Sequence, residues 1–312
     1  MAGYIDAMRS TLAELLGQNE METAVVLPQR LPVGLRNDVE QAVAILIAYQ
    51  NPGYAQLYLE RLGRFVGRRD VPEDLLSEIA RLLLDRMAYE DPIRIAQLTL
   101  DEAVIGPDGV PARRVDKKCR FRIDEMVLAL PEVVADPMLD ALGRIGLLHM
   151  PMKMRFNATD WLGVRRLRLE ASLRRWRLLS IRYATERVWV ERWLHMIDRA
   201  LSQRPECVMA IVHSATMVRG YGDHYRYGMA NWSLLIDTLV KPALCGDLIL
   251  PDLSAAIAEA RAAALPERKQ ITLRRVISAI RVRAGATPLP PAKRARRRNR
   301  ARLEVDTRLP PA

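Results

Sequence analysis

The sequence predicts a mainly α protein: one multi-helix, bundle-like domain, with at most a small β hairpin near residues 105–130 and a disordered basic C-terminal tail. Three observations carry this. Apolar residues recur at three and four spacing through most of the chain, the period of a helix with one buried face. Three Asx-Pro dipeptides, Asn51-Pro52, Asp91-Pro92 and Asp136-Pro137, each offer a side-chain N-cap followed by a residue whose missing N–H costs nothing in the first turn. Half of the 312 residues are apolar and 27% are charged, enough to bury a proper core without disulfides or metals.

In chain order, the helical period runs over 5–16, 39–48, 53–65, 74–88, 137–148 and 161–201, and returns in 206–218, 229–240, 252–264 and 271–282. Gly106-Pro107-Asp108-Gly109 is turn chemistry, and Cys119 to Leu130 alternates well enough at its start for a short strand. A weak echo links Ala48-Tyr49-Gln50-Asn51-Pro52 with Ala88-Tyr89-Glu90-Asp91-Pro92, as expected of two helical hairpins using the same turn. The domain is expected over 1–284, with possible sub-modules at 1–110 and 136–284.

The segment 161–201 has a stricter rhythm. Leu162, Leu169, Trp176, Tyr183, Val190 and Ile197 fall every seventh residue, but the companion row carries Ser180 and Arg187, where a coiled coil needs apolar residues. This predicts one long or once-broken amphipathic helix packed on its own domain. Its other face bears Arg165, Arg168, Arg174, Arg175, Arg177 and Arg182, either solvated or set against an acidic partner. Residues 285–312 combine Pro288, Pro290 and Pro291 with a run of arginines from Lys293 to Arg302, a density of like charge that cannot form a core. The formal charge of +11 sits almost entirely in these two segments, and arginine outnumbers lysine 42 to 6, a bias that GC-rich coding alone produces.

Chemistry is sparse. Cys119, Cys207 and Cys245 lie far apart, which excludes a zinc or iron–sulfur framework on this chain and points to a reducing, cytoplasmic compartment. No apolar run approaches a membrane span. There is no phosphate loop, no HExxH, no GxSxG and no thiamine diphosphate motif, and His149, His195, His213 and His224 are scattered. One stretch stands apart: Val218 to Trp232 crowds Arg219, Gly220, Tyr221, Gly222, Asp223, His224, Arg226, Gly228 and Asn231 into a corner where a helix stop needs one glycine. It reads as a partner-docking motif, as a structural corner whose tyrosines pack inward, or as an active site around Tyr221, Asp223, His224 and Arg226.

Five words, LxxYQNPxYAxLYLxRL (Leu46 to Leu62), MAYEDPIRIAQL (Met87 to Leu98), RLRLxxxLRRWR (Arg166 to Arg177), ERWL (Glu191 to Leu194) and VRGYGDxxxxGxAN (Val218 to Asn231), resemble the helical C-terminal domain of indolepyruvate ferredoxin oxidoreductase. The resemblance covers roughly 36–240. Arg219 and His224 stand where that family's pattern has lysine and threonine. It implies an accessory or scaffolding subunit of an aryl-pyruvate 2-oxoacid oxidoreductase. Thiamine diphosphate, magnesium and iron–sulfur clusters are then expected on the catalytic partner subunit and none on this chain. The glycine-rich α/β module of the gamma type is absent here, so the partner set extends to a separate gamma-type subunit. The alternative from composition is a nucleic-acid-binding protein acting through its basic tail.

Overall fold

The structure is a computed structural model that describes residues 25–106, 110–267 and 269–290. The chain is mainly helical, as the sequence predicts, and the one sheet among the described residues has two strands. The helix expected over 5–16 and the basic run from Lys293 to Arg302 lie outside the described residues.

The first four helices are α1 (Val33–Tyr49), α2 (Pro52–Gly63), α3 (Glu73–Met87) and α4 (Pro92–Ala103), and α2 and α4 begin at the predicted Asx-Pro entries. Asn51 Oδ1 accepts from the Tyr54 amide at 2.8 Å and Asp91 Oδ1 from the Arg94 amide at 2.6 Å, each with proline next in the chain. These are the two echoed turns, and they meet in space: Tyr49 donates to the Tyr89 carbonyl at 3.3 Å and their rings pack edge to face.

Strand β1 (Val115–Arg122) pairs antiparallel with β2 (Pro151–Ala158), from Val115 opposite Ala158 to Arg122 opposite Pro151. The first strand falls within the expected 105–130, next to an isolated bridge from Ile105 to Pro111 that flanks the predicted turn, and its partner strand lies further along the chain. The partner strand escapes pattern reading because its first half, Pro151 to Lys153, is exposed on both faces. Between the strands lie α5 (Ile123–Leu128) and α6 (Glu132–Arg144). The reading of Asp136-Pro137 as a helix start is corrected, since the helix begins after Pro131 and Pro137 falls inside it.

The long segment breaks once: α7 (Trp161–Ser172), a 3₁₀ stretch (Leu173–Leu179), then α8 (Ile181–Gln203), capped by Ser180. The remainder runs through α9 (Val208–Ser214), α10 (Gly222–Leu235), a π turn (Ile236–Val240), α11 (Lys241–Cys245), α12 (Leu253–Ala262) and α13 (Ile271–Arg283). The fold continues past the expected tail boundary, because Ala286 and Leu289 pack on the core and the Leu289 amide donates to Ser278 Oγ at 3.2 Å.

Helices α1 to α3 share one apolar core with α8 to α13, organised around Trp189, Trp193 and Trp232. The middle of the chain forms a second core between α4, the hairpin and α7, around Phe121 and Phe156, and a small third core under α5 and α6 around Val127 and Leu139. Among the described residues the body is thus built from helices before and after an inserted hairpin unit.

Candidate partner-docking corner and the polar lock beneath it

The glycine-rich corner lies where the body meets the inserted unit. Gly220 and Gly222 have φ of +64° and +71°, the left-handed region that only glycine enters without strain, and together they turn the chain from the end of the Ala215–Met217 turn into α10. Tyr221, between them, lays its ring on Phe121 at 4.7 Å and so ties the corner to β1. Burial, then a hydrogen bond with Cys119, push the Tyr221 phenol up to about 12.

Asp223 opens the first turn of α10, where a carboxylate is favoured by the helix dipole. Its side chain is 57% exposed; Oδ1 accepts from Arg226 at 2.6 Å and from Arg122 at 3.5 Å. Arg122 itself forks onto Asp124, and Arg226 approaches the same carboxylate at 3.7 Å. His149, largely exposed, places Nδ1 3.2 Å from Asp124 Oδ2 and touches Arg122. The rim is therefore a mixed network of two guanidiniums, one imidazole and two carboxylates, contributed by α10, the end of β1, the first turn of α5 and the loop before β2.

The eight motif residues divide by burial. Arg219 and Asp223 face solvent; Gly220, Tyr221 and Arg226 are half-buried; Gly222, Gly228 and Asn231 are buried. Gly228 is there for contact, since a Cβ would stand 2.3 Å from the Met217 carbonyl oxygen. Asn231 donates to the Leu265 carbonyl at 2.9 Å and secures the loop before α13. His224 is exposed beside Asp223 and has no assigned partner among the described residues. The tyrosines are split: Tyr225 is buried, whereas Tyr221 and Tyr227 are half-buried.

Beneath the rim is a chain of buried ion pairs that the sequence did not disclose. Arg177, 2% exposed, donates twice to Asp91 at 2.7 and 3.0 Å and to the Tyr49 carbonyl at 2.7 Å, with its guanidinium 3.8 Å over the Tyr49 ring. Burial opposes its charge, but Tyr49 and Asp91 outweigh that and hold Arg177 above its ordinary value. Glu186 accepts from Arg86 at 2.6 Å and from Arg182 at 3.1 Å; Arg86 also reaches the Val218 carbonyl at 2.6 Å, and Arg182 lies 3.3 Å over the buried Tyr225 ring. A cavity of about 20 Å³, lined by Glu90, Asp91, Phe121, Glu125, Arg177 and Arg182, separates lock from rim. It has room for one water, and the unpaired Oε1 of Glu125 and Nη2 of Arg182 are the groups such a water would satisfy. Burial raises the Glu125 carboxyl, against the pull of the Arg122 amide, Arg182 and Arg226.

Sequence reading found the corner but missed Arg122, Asp124 and His149. Arg122 and Asp124 sit in the stretch read as a strand, where the only signal was Glu125, whose side chain accepts from the Arg122 amide at 3.1 Å to start α5. The five distant words meet in this region: Tyr49, Asp91, Arg177 and Val218 supply the lock, and Glu191 binds the buried Arg61 at 2.8 Å.

Fold and site define an all-α class of module with an inserted hairpin, wired by buried arginine–carboxylate pairs. By sequence the chain belongs to a family of unknown function, DUF6537, whose model matches residues 35–238. No curated protein and no solved structure matches it significantly. No group of three or more His, Cys, Asp or Glu side chains that could hold a metal ion occurs among the described residues, and no described helix is long and apolar enough to cross a membrane.

Proposed function

We propose that this chain is a non-catalytic accessory or scaffolding subunit of an indolepyruvate-type 2-oxoacid:ferredoxin oxidoreductase, working in the cytoplasm and docking the thiamine-diphosphate and iron–sulfur catalytic subunit through the corner at Gly220 to Asn231. The resemblance of five ordered words suggests the enzyme. The observation that carries the docking role is Asp223: an exposed carboxylate oriented by Arg226 and Arg122 at a turn held by two left-handed glycines. A rigid, charged, solvent-facing element on a fixed scaffold is the kind of feature that recognises another protein.

The test pairs binding with melting. Asp223→Ala removes exposed ion pairs, worth roughly 0–1 kcal/mol to the fold, so its melting temperature should stay close to that of the parent chain while its affinity for the catalytic subunit falls. A variant that binds the catalytic subunit with unchanged affinity would return the corner to a structural turn.

A further inference from the structure

The heptad row of the long segment changes role at the 3₁₀ break. Beyond the break, Val190 and Ile197 are buried in the main core and Tyr183 packs against it. Before the break Leu162 and Leu169 of the same row point outward, 69% and 67% exposed, and inside the 3₁₀ stretch Trp176 of that row and Leu173, four residues beyond Leu169, are 43% and 46% exposed. α7 does bury a face, through Val164 and Leu167, so this ridge is a second apolar stripe with no cover. Single exposed leucines are ordinary, but four large apolar side chains in file along one helix and its continuation are not.

The charges around the ridge narrow what can cover it. Arg166 is satisfied by Glu170 at 2.8 Å and Arg174 by the Ala48 carbonyl at 2.9 Å. Arg165 lies 5.4 Å over the exposed Trp161 ring, and Arg165, Arg168 and Arg175 have no carboxylate partner among the described residues. A second copy of the same face would set these guanidiniums against one another, which disfavours self-pairing. Seven-residue spacing is the repeat that a helix lying alongside another helix reads. A guanidinium fork on the flank matches a carboxylate in two-point geometry.

We propose that the α7 ridge, Leu162, Leu169, Leu173 and Trp176 with Arg165, Arg168 and Arg175 on its flanks, docks an acidic amphipathic helix of a partner protein. This surface lies on a different element from the Asp223 corner, so its fate is independent of the corner's.

The probe is a synthetic three-heptad helix with leucine on one stripe and glutamate on both flanks, titrated into the full chain. Its lysine-for-glutamate twin, phosphatidylserine vesicles and oligothymidylate are titrated in parallel. The glutamate helix should bind, more weakly as salt rises, and its lysine twin should not. Leu169→Glu, at an exposed position, should weaken that binding by about tenfold or more with an unchanged melting temperature. The double variant R168E/R175E should move the preference to the lysine twin. The proposal is overturned if the glutamate helix does not bind, or if Leu169→Glu binds it equally. It is likewise overturned if vesicles or oligothymidylate bind in its place, or if the chain self-associates in a way that Leu169→Glu abolishes.

Discussion

Arg177 is a guanidinium buried to 2% exposure, and the one carboxylate that binds it, Asp91, has two tasks. Asp91 Oδ1 accepts both the Arg94 amide that starts α4 and Arg177 Nη2, while Oδ2 takes Arg177 Nε. The echoed turn provides an internal control, because Asn51 caps α2 in the same Asx-Pro setting without a buried partner. Asn51→Ala should cost about 1 kcal/mol, the value of a cap. Asp91→Ala loses a cap and also leaves a buried cation uncompensated, at about 3–5 kcal/mol. Denaturant melts of both variants check this, and equal losses would mean that Arg177 is not held by Asp91. At this scale the sequence was legible where a residue acts locally. The proline-bracketed caps and the left-handed glycines follow from neighbours in the chain. The partners of Arg177 and Arg86 lie 86 to 132 residues away, and no local pattern encodes them. The same limit hid His149 and Asp124 beside Asp223.

Among the elements, α6 is the most lightly held. Its inward face consists of Ala135, Leu139 and the half-buried Leu142, while Val133, Val134 and Ile145 are 88%, 48% and 65% exposed. Pro137 inside it removes one backbone donor, which would otherwise pair with the Val133 carbonyl. Few buried contacts and a missing hydrogen bond place the α5–α6 unit at the low end of local stability. Amide exchange should therefore run faster across 132–144 than across α8, and Pro137→Ala should slow it in α6, with little change in the global melting temperature. Exchange in α6 that is as slow as in α8 would show that its third core is stronger than its area suggests. Here pattern reading met an ambiguity: two prolines, Pro131 and Pro137, compete for the first turn, and the earlier one wins because a helix that starts there brings Ala135 onto the Val127 cluster. Strand β2 was illegible for a related reason, because its first residues are exposed on both faces and leave only Phe156 and Ala158 to alternate inward.

At the scale of the molecule, the body is closed by contacts between the helices that precede the hairpin unit and those that follow it, and one carboxylate takes part in that closure. Glu191 on α8 accepts from Arg61 at 2.8 Å and Arg64 at 2.7 Å on α2, binding helices that are about 130 residues apart in sequence. Burial works to raise the Glu191 carboxyl, but hydrogen bonds and charge from Arg64 and Arg61 win and leave it below its ordinary value. A folded value lower than the unfolded one means that this contribution is fully present above about pH 4.3, the unfolded value of a glutamate. It is lost as pH falls through the lower folded value. Glu191→Gln keeps an acceptor for the buried Arg61 but gives up the charge, and its loss should be roughly 1 kcal/mol after allowance for solvent at the half-exposed Arg64. The difference in unfolding free energy between parent and variant should therefore be widest near neutral pH and narrow as pH falls through the lowered folded value, as protonation makes the parent resemble the variant. Melts at a series of pH values read this directly. A gap that stays constant down to the acid limit would mean that Glu191 acts through shape rather than charge.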